Sequence, residues 1–218
     1  MDKSAVLKTL EESGLAPVMR ADSAERALAL AQAIFAGGVK VLEVTMTVPG
    51  AMEVIRRLVK DRPEILVGAG TVLDAETARA CILEGAQFIV SPALSLRTIE
   101  LCRRYSVAVL PGALTPTEVV TAWEAGADVV KVFPAGALGG AKYLASLKGP
   151  LPQIPMIPTG GVSLSTAAEF LRAGAFALGV GSDLVDARAL AEGRPEVITA
   201  TAQKYLEIVR QFRGGAAG

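Results

Sequence analysis

The feature that most restricts this chain is a junction that recurs along it. Ala-Gly-Gly-Val at 36–39, Glu-Gly-Ala-Gln at 84–87, Ala-Gly-Ala-Asp at 125–128 and Ala-Gly-Ala-Phe at 173–176 each close an amphipathic stretch and open an apolar one. Glycine suits both jobs, because it caps a helix in the left-handed conformation and permits a tight turn into a strand. A chain built on such junctions alternates helix with strand, and strands joined through helices run parallel. The pattern predicts strands at 17–20, 39–44, 65–67, 88–91, 107–110, 128–134, 154–157 and 176–179. It predicts helices at 3–12, 24–35, 51–60, 75–84, 96–105, 115–124, 140–147, 163–172 and 195–212. Eight βα units of about 27 residues each favour a closed (β/α)8 TIM barrel with an extra N-terminal helix, a single α/β domain over 1–218. An open flavodoxin-like or Rossmann sheet is the competing arrangement. Against it stand the lack of Gly-x-Gly-x-x-Gly after the first strand and of a clear pair of halves.

In such a barrel, chemistry lies at the C-terminal ends of the strands, and alternate strand residues face the lumen. Asp128-Val129-Val130-Lys131-Val132-Phe133-Pro134 reads as a strand buried on both faces, yet it carries a lysine. A buried ammonium must find a partner or give up its proton, and the free amine is a nucleophile toward carbonyl carbon. A strand-end lysine can also snorkel to solvent. Val129, Lys131 and Phe133 share one parity; Val41, Glu43 and Thr45 share another, leaving Leu42 and Val44 to face the helices. Arg20 ends the first strand on the parity of Val18. The expected lumen therefore gathers Lys131, Glu43 and Arg20. Glu43 can serve as a proton shuttle, as an ion-pair partner of either cation, or as both.

The absence of histidine narrows the chemistry. It removes Ser-His-Asp and Cys-His nucleophile systems and the usual histidine zinc sites. The 22 basic and 22 acidic residues cancel, which leaves no electrostatic footprint for nucleic acid or an anionic membrane. Apolar runs fall short of the roughly 20 residues of a membrane span, and Met1-Asp2-Lys3-Ser4 lacks a signal peptide's apolar core, so a cytoplasmic location is expected. Cys81 and Cys102 fit that compartment as small buried hydrophobes.

Two glycine turns add an anion site. Pro158-Thr159-Gly160-Gly161-Val162 follows the seventh strand and Gly179-Val180-Gly181-Ser182 the eighth. Backbone N–H groups can approach an anion there, and loops after strands 7 and 8 are the usual phosphate site of this fold. The glycines can also do no more than make tight turns.

Six motifs in order carry a resemblance. They are Pro17-Val18-Met19-Arg20-Ala21-Asp22-Ser23, Leu42-Glu43-Val44-Thr45, Val67-Gly68-Ala69-Gly70-Thr71-Val72, Phe88-Ile89-Val90-Ser91-Pro92, Lys131-Val132-Phe133-Pro134-Ala135 and Pro158-Thr159-Gly160-Gly161-Val162. The series, spanning about 7–186, resembles the bacterial 2-keto-3-deoxy-6-phosphogluconate and 4-hydroxy-2-oxoglutarate aldolases. The resemblance implies a class I aldolase of (β/α)8 fold, usually a homotrimer, with no metal or organic cofactor. Its substrate would be a phosphorylated 2-keto-3-deoxy sugar acid, cleaved to pyruvate and glyceraldehyde 3-phosphate. By the same resemblance Lys131 forms the imine, Glu43 relays protons, and Thr71 helps hold the pyruvate carboxylate. Phe133 and Pro92 wall the pocket, while Thr159, Gly160, Gly161, Gly181 and Ser182 surround the phosphate. Several members carry Leu-Arg-Thr after the Glu-bearing strand, the Arg meeting the substrate carboxylate. This chain has Thr45-Met46-Thr47 instead, and Arg20 resembles the arginine that other members use. Preference for 4-hydroxy-2-oxoglutarate (giving pyruvate and glyoxylate) or for 2-dehydro-3-deoxy-6-phosphogalactonate would use the same chemistry. A phosphosugar isomerase or a non-catalytic binding barrel is the more distant alternative.

Overall fold

The structure, a computed structural model, describes residues 1–215. Nine parallel strand segments follow in chain order: β1 (Leu15–Met19), β2 (Val41–Thr45), β3 (Leu66–Gly70), β4 (Phe88–Val90), β5 (Ala108–Leu110), β6 (Gly112–Ala113), β7 (Val130–Val132), β8 (Met156–Pro158) and β9 (Leu178–Val180). β5 and β6 are halves of one stave divided at Pro111, which has no N–H to give the ladder. Pairing runs β5-β4-β3-β2-β1-β9 in one sheet and β6-β7-β8 in the other. The ring closes where Lys131 N–H donates to Pro111 O at 2.9 Å and where Thr159 bridges Gly179. Eight staves and one barrel result, as the repeat implies.

The junction glycines behave as expected. Gly38, Gly85, Gly126 and Gly174 have φ of 93, 98, 94 and 89°, and each ends a helix in the left-handed region. The helices are α1 (Lys3–Ser13), α2 (Ala24–Ala36), α3 (Ala51–Asp61), α4 (Ala75–Leu83), α5 (Leu96–Arg104), α6 (Pro116–Glu124), α7 (Ala141–Lys148), α8 (Ala167–Arg172), α9 (Ala187–Ala191) and α10 (Pro195–Gly215). A 3-10 turn (Ala135–Leu138) and α9 lie outside the elements anticipated. α8 starts four residues later than the pattern suggests. Ser163 and Thr166 bond the loop instead: Ser163 N–H donates to Thr166 Oγ1 (2.9 Å), which donates to Gly161 O (3.0 Å).

The core has two layers, and strand parity sorts residues between them. Leu42, Val44, Val130, Val132, Met156, Leu178 and Val180 join the layer between barrel and helices. Val41, Leu66, Phe88, Val90, Leu110, Val129 and Ile157 fill the lumen. Val6 and Leu10 of α1 belong to this inner cluster, so the extra helix stoppers the N-terminal mouth. Burying each of those two side chains contributes about 1.5–3 kcal/mol. Lys3 pins the helix by an ion pair to Asp128 at 2.8 Å, and Asp2 caps it through the Ala5 N–H at 2.8 Å. With one mouth closed by apolar side chains, polar chemistry is confined to the other.

Cys81 and Cys102 are free and fully buried. Burial pushes their thiols up to about 11 and about 12, which makes them poor nucleophiles at neutral pH. No helix among the described residues is long and apolar enough to cross a membrane.

Candidate active site at the C-terminal mouth of the barrel

Lys131 is the middle residue of β7. Its neighbours Val130 and Val132 anchor outward in the helix layer, which turns the lysine into the lumen. Across the ladder it faces Gly112 on one side and Ile157 on the other. A Cβ on Gly112 would lie 2.2 Å from the Pro92 carbonyl carbon, so only glycine lets the Pro92 loop approach there.

Glu43 reaches the same point from β2. Its Oε1 lies 3.5 Å from Lys131 Nζ, and the two side chains are 4% and 6% exposed. Among the described residues no other ion pair has both partners buried. Isolating two charges from water is costly, so such a pair is weak evidence of stabilisation and stronger evidence of function. Glu43 Oε1 is also the one buried side-chain oxygen or nitrogen among the described residues without a hydrogen bond. Buried carboxylate oxygens are ordinarily satisfied. One glycine creates the place of Glu43: Gly70 has the inward parity of β3, and a Cβ there would lie 2.0 Å from Oε1.

The other residues singled out in the sequence gather around this pair unequally. Phe133 is half-buried, with its ring centroid 5.5 Å from Lys131 Nζ, within cation–π range. Pro92 is half-buried beside Gly112. Thr71, directly after β3, holds φ at 55°, a conformation side chains seldom adopt and one that clusters at functional sites. Thr159 is 7% exposed and continues β8. Gly160 and Gly161 follow with φ of 83 and 80°. Gly181 and Ser182 leave β9 beside them, half-buried and exposed respectively. Arg20 also stands at this end, one residue past β1, but it is exposed and has no ion pair among the described residues. The lumen thus holds Lys131 and Glu43 together, while Arg20 stays at the rim.

Several positions of consequence escape the sequence reading. Gly70 and Gly112 make room for Glu43 and for the Pro92 loop, and inward strand parity is the available signal. Thr45, fully buried, donates to Met19 O at 2.9 Å and bonds Thr47 Oγ1 at 2.7 Å, tying the loop after β2 to the end of the strand that carries Arg20. Among the described residues no cluster of three or more His, Cys, Asp or Glu is close enough to hold a metal ion.

A desolvated lysine beside a carboxylate, at the strand ends of a parallel barrel with two glycine turns opposite, defines a barrel enzyme built for carbonyl chemistry on an anionic substrate. The sequence matches the family model described as KDPG and KHG aldolase over residues 6–201, and the chain belongs to that family. It is 36% identical over 204 residues to the 2-dehydro-3-deoxy-phosphogluconate aldolase of Treponema pallidum, covering 94% of this chain and 97% of that one. It is 35% identical over 205 residues to the KHG/KDPG aldolase of Escherichia coli, covering 94% and 96%. The KDPG aldolase of Legionella pneumophila, solved with pyruvate captured as a covalent carbinolamine, superposes with a TM-score of 0.84 at 31% identity, covering 91% and 96%.

Proposed function

We propose that the chain is one catalytic domain that reversibly cleaves 2-dehydro-3-deoxy-6-phospho-D-gluconate to pyruvate and D-glyceraldehyde 3-phosphate through an imine on Lys131. The observation that carries this reading is the buried Lys131–Glu43 pair, 3.5 Å apart, with Glu43 Oε1 otherwise unbonded. The Lys131 amine adds to the C2 carbonyl to give a carbinolamine, and loss of water leaves a protonated imine. Glu43 takes the proton of the C4 hydroxyl as the C3–C4 bond breaks; the bonding electrons enter the imine to form an enamine, and the aldehyde departs. Protonation of the enamine at C3 and hydrolysis then release pyruvate and restore the amine. One carboxyl group serves each transfer without histidine.

The phosphate sits against Thr159, Gly160, Gly161, Gly181 and Ser182, where the positive φ of Gly160 and Gly161 lets backbone N–H groups approach an anion. The carboxylate of the pyruvate half meets Thr71 and Arg20, and Phe133 and Pro92 wall the pocket. A Zymomonas mobilis aldolase solved with 3-phosphoglycerate supports a phosphate subsite in this family. A matched designed cage, made by fusing symmetric oligomeric domains, supports an oligomer, which we take to be a homotrimer in the cytoplasm.

Pyruvate release from 2-dehydro-3-deoxy-6-phosphogluconate, its galactonate epimer and 4-hydroxy-2-oxoglutarate, coupled to NADH oxidation, tests the reading. Turnover strongest on the gluconate is expected. Turnover confined to 4-hydroxy-2-oxoglutarate would reassign the substrate, and turnover of none of them would refute the reaction.

A further inference from the structure

Asp183 follows Ser182 in the second glycine turn, yet its carboxylate serves the first. Its Oδ2 accepts the N–H of Leu164 at 3.2 Å, three residues past Gly161, and also the O–H of Tyr205. Tyr205 comes from α10 and is fully buried. Burial first, and then the bond to Asp183, hold its phenol above the ordinary range, so it remains an O–H donor.

The first turn is gripped from its other side as well. Gly136 N–H donates to Gly160 O at 2.9 Å, and Ala135 N–H donates to Thr159 O at 2.9 Å. The two backbones touch, since a Cβ on Gly161 would lie 2.8 Å from Gly136 Cα. Gly136 belongs to the 3-10 turn that leaves the Lys131 strand. The Gly160–Gly161 turn is therefore fastened to the lysine's strand on one side and, through Asp183, to the second turn and α10 on the other.

No ion pair compensates Asp183 among the described residues. A bare carboxylate one residue from a phosphate cradle works against anion binding electrostatically. Its value must lie in what it holds, because one oxygen accepting two donors from separate elements fixes their separation. The structure assigns Asp183, braced by Tyr205, the role of a positioning residue that sets the spacing of the two glycine turns and thereby the affinity for the phosphorylated end of the substrate. This rests on the phosphate placement proposed above.

The test uses the full chain and inorganic phosphate. Calorimetry measures phosphate binding by wild type, Asp183→Ala, Asp183→Asn and Tyr205→Phe, and steady-state kinetics compare the phosphorylated substrate with 4-hydroxy-2-oxoglutarate. Asp183→Ala should weaken phosphate and raise KM for the phosphorylated substrate about tenfold, the scale of one lost charge-assisted hydrogen bond, with kcat on 4-hydroxy-2-oxoglutarate unchanged. Asp183→Asn keeps the acceptor and removes the charge, so it should bind phosphate at least as tightly as wild type. Tyr205→Phe should follow Asp183→Ala with a smaller effect, and it carries the test if Asp183→Ala does not fold. Wild-type affinity in Asp183→Ala, tighter binding in both Asp183 variants, equal losses on both substrates, or no phosphate binding by wild type would each overturn the assignment. Pyruvate trapping on Lys131, run on the same proteins, reports the imine chemistry separately.

Discussion

Gly70→Ala tests whether the position of Glu43, and not merely its presence, is what the site needs. The added methyl would lie 2.0 Å from Glu43 Oε1 and 2.5 Å from its Cδ and Cγ, all inside van der Waals contact. Gly70 sits within β3, away from the left-handed glycines, so alanine suits its backbone and the clash falls on the carboxyl group. Glu43 must withdraw by about an ångström or more, opening the 3.5 Å contact with Lys131. Misplacement on that scale costs about 100-fold, and losing a general acid–base altogether costs about 100- to 10,000-fold. The expected kcat is therefore down by roughly two orders of magnitude. Overpacking costs about 1–3 kcal/mol, or a fall in Tm of roughly 2–12 °C for a chain this size, so the protein should remain folded. Gly68→Ala is the control two residues back. Its methyl would meet the Phe88 ring at 2.3 Å, below the site, so it should lower Tm without a comparable loss of kcat. Coupled pyruvate release and thermal melts give both quantities. Gly70→Ala with kcat within about threefold of wild type would refute the argument that Glu43 must lie over Gly70 to move protons.

Two further outcomes follow from local geometry. Gly181 has no atom within 4 Å of a would-be Cβ and needs no left-handed φ, so Gly181→Ala should leave Tm unchanged while raising KM for the phosphorylated substrate; unchanged KM would remove Gly181 from the phosphate subsite. Glu118 closes a capping box on α6, and the N–H groups of Thr115 and Leu114, its leading partners, hold its carboxyl below the usual range. A lowered folded value means its stabilisation is complete above the unfolded value and fades as pH falls through the folded one. Glu118→Ala should therefore cost about 0.5–1 kcal/mol near neutral pH and progressively less as the pH falls below the ordinary carboxylate range, read from urea midpoints; a gap independent of pH would show that the cap does not act through its charge.

Alternation exposed most of the barrel in the sequence. Val129 and Val41 lie in the lumen, while Val130, Val132, Leu42 and Val44 lie outside it, on the sides their parity dictates. The junction glycines fixed where helices yield to strands for a local steric reason. Less legible was the end of β3, expected at 65–67 and found at Leu66–Gly70. Gly-Ala-Gly carries no strand propensity; those residues are there because the Phe88 ring and Glu43 need the space, a constraint imposed from other strands. Likewise α8 begins at Ala167 because Ser163 and Thr166 bond the glycine turn, a contact visible only once the loop is folded. Parity put Arg20 on the lumen side, but depth along the stave decides exposure, and Arg20 lies past the end of β1. The brace between Asp183 and Tyr205 joins residues 22 apart through tertiary packing, and no local pattern announces it.

If Lys131 is the amine that attacks the substrate carbonyl, reduction in the presence of pyruvate should fix pyruvate to it. The protein is incubated with pyruvate and borohydride, the mass gain is mapped by peptide sequencing, and Lys131→Ala is treated in parallel. One reduced pyruvate adduct is expected, on Lys131, absent from the variant. Lys148 is the informative competitor, because burial lowers its amine below the ordinary range, yet its Nζ is held by Pro152 O and Ile154 O, away from the C-terminal mouth. An adduct on Lys148 or Lys142, or none at all, would contradict the assignment.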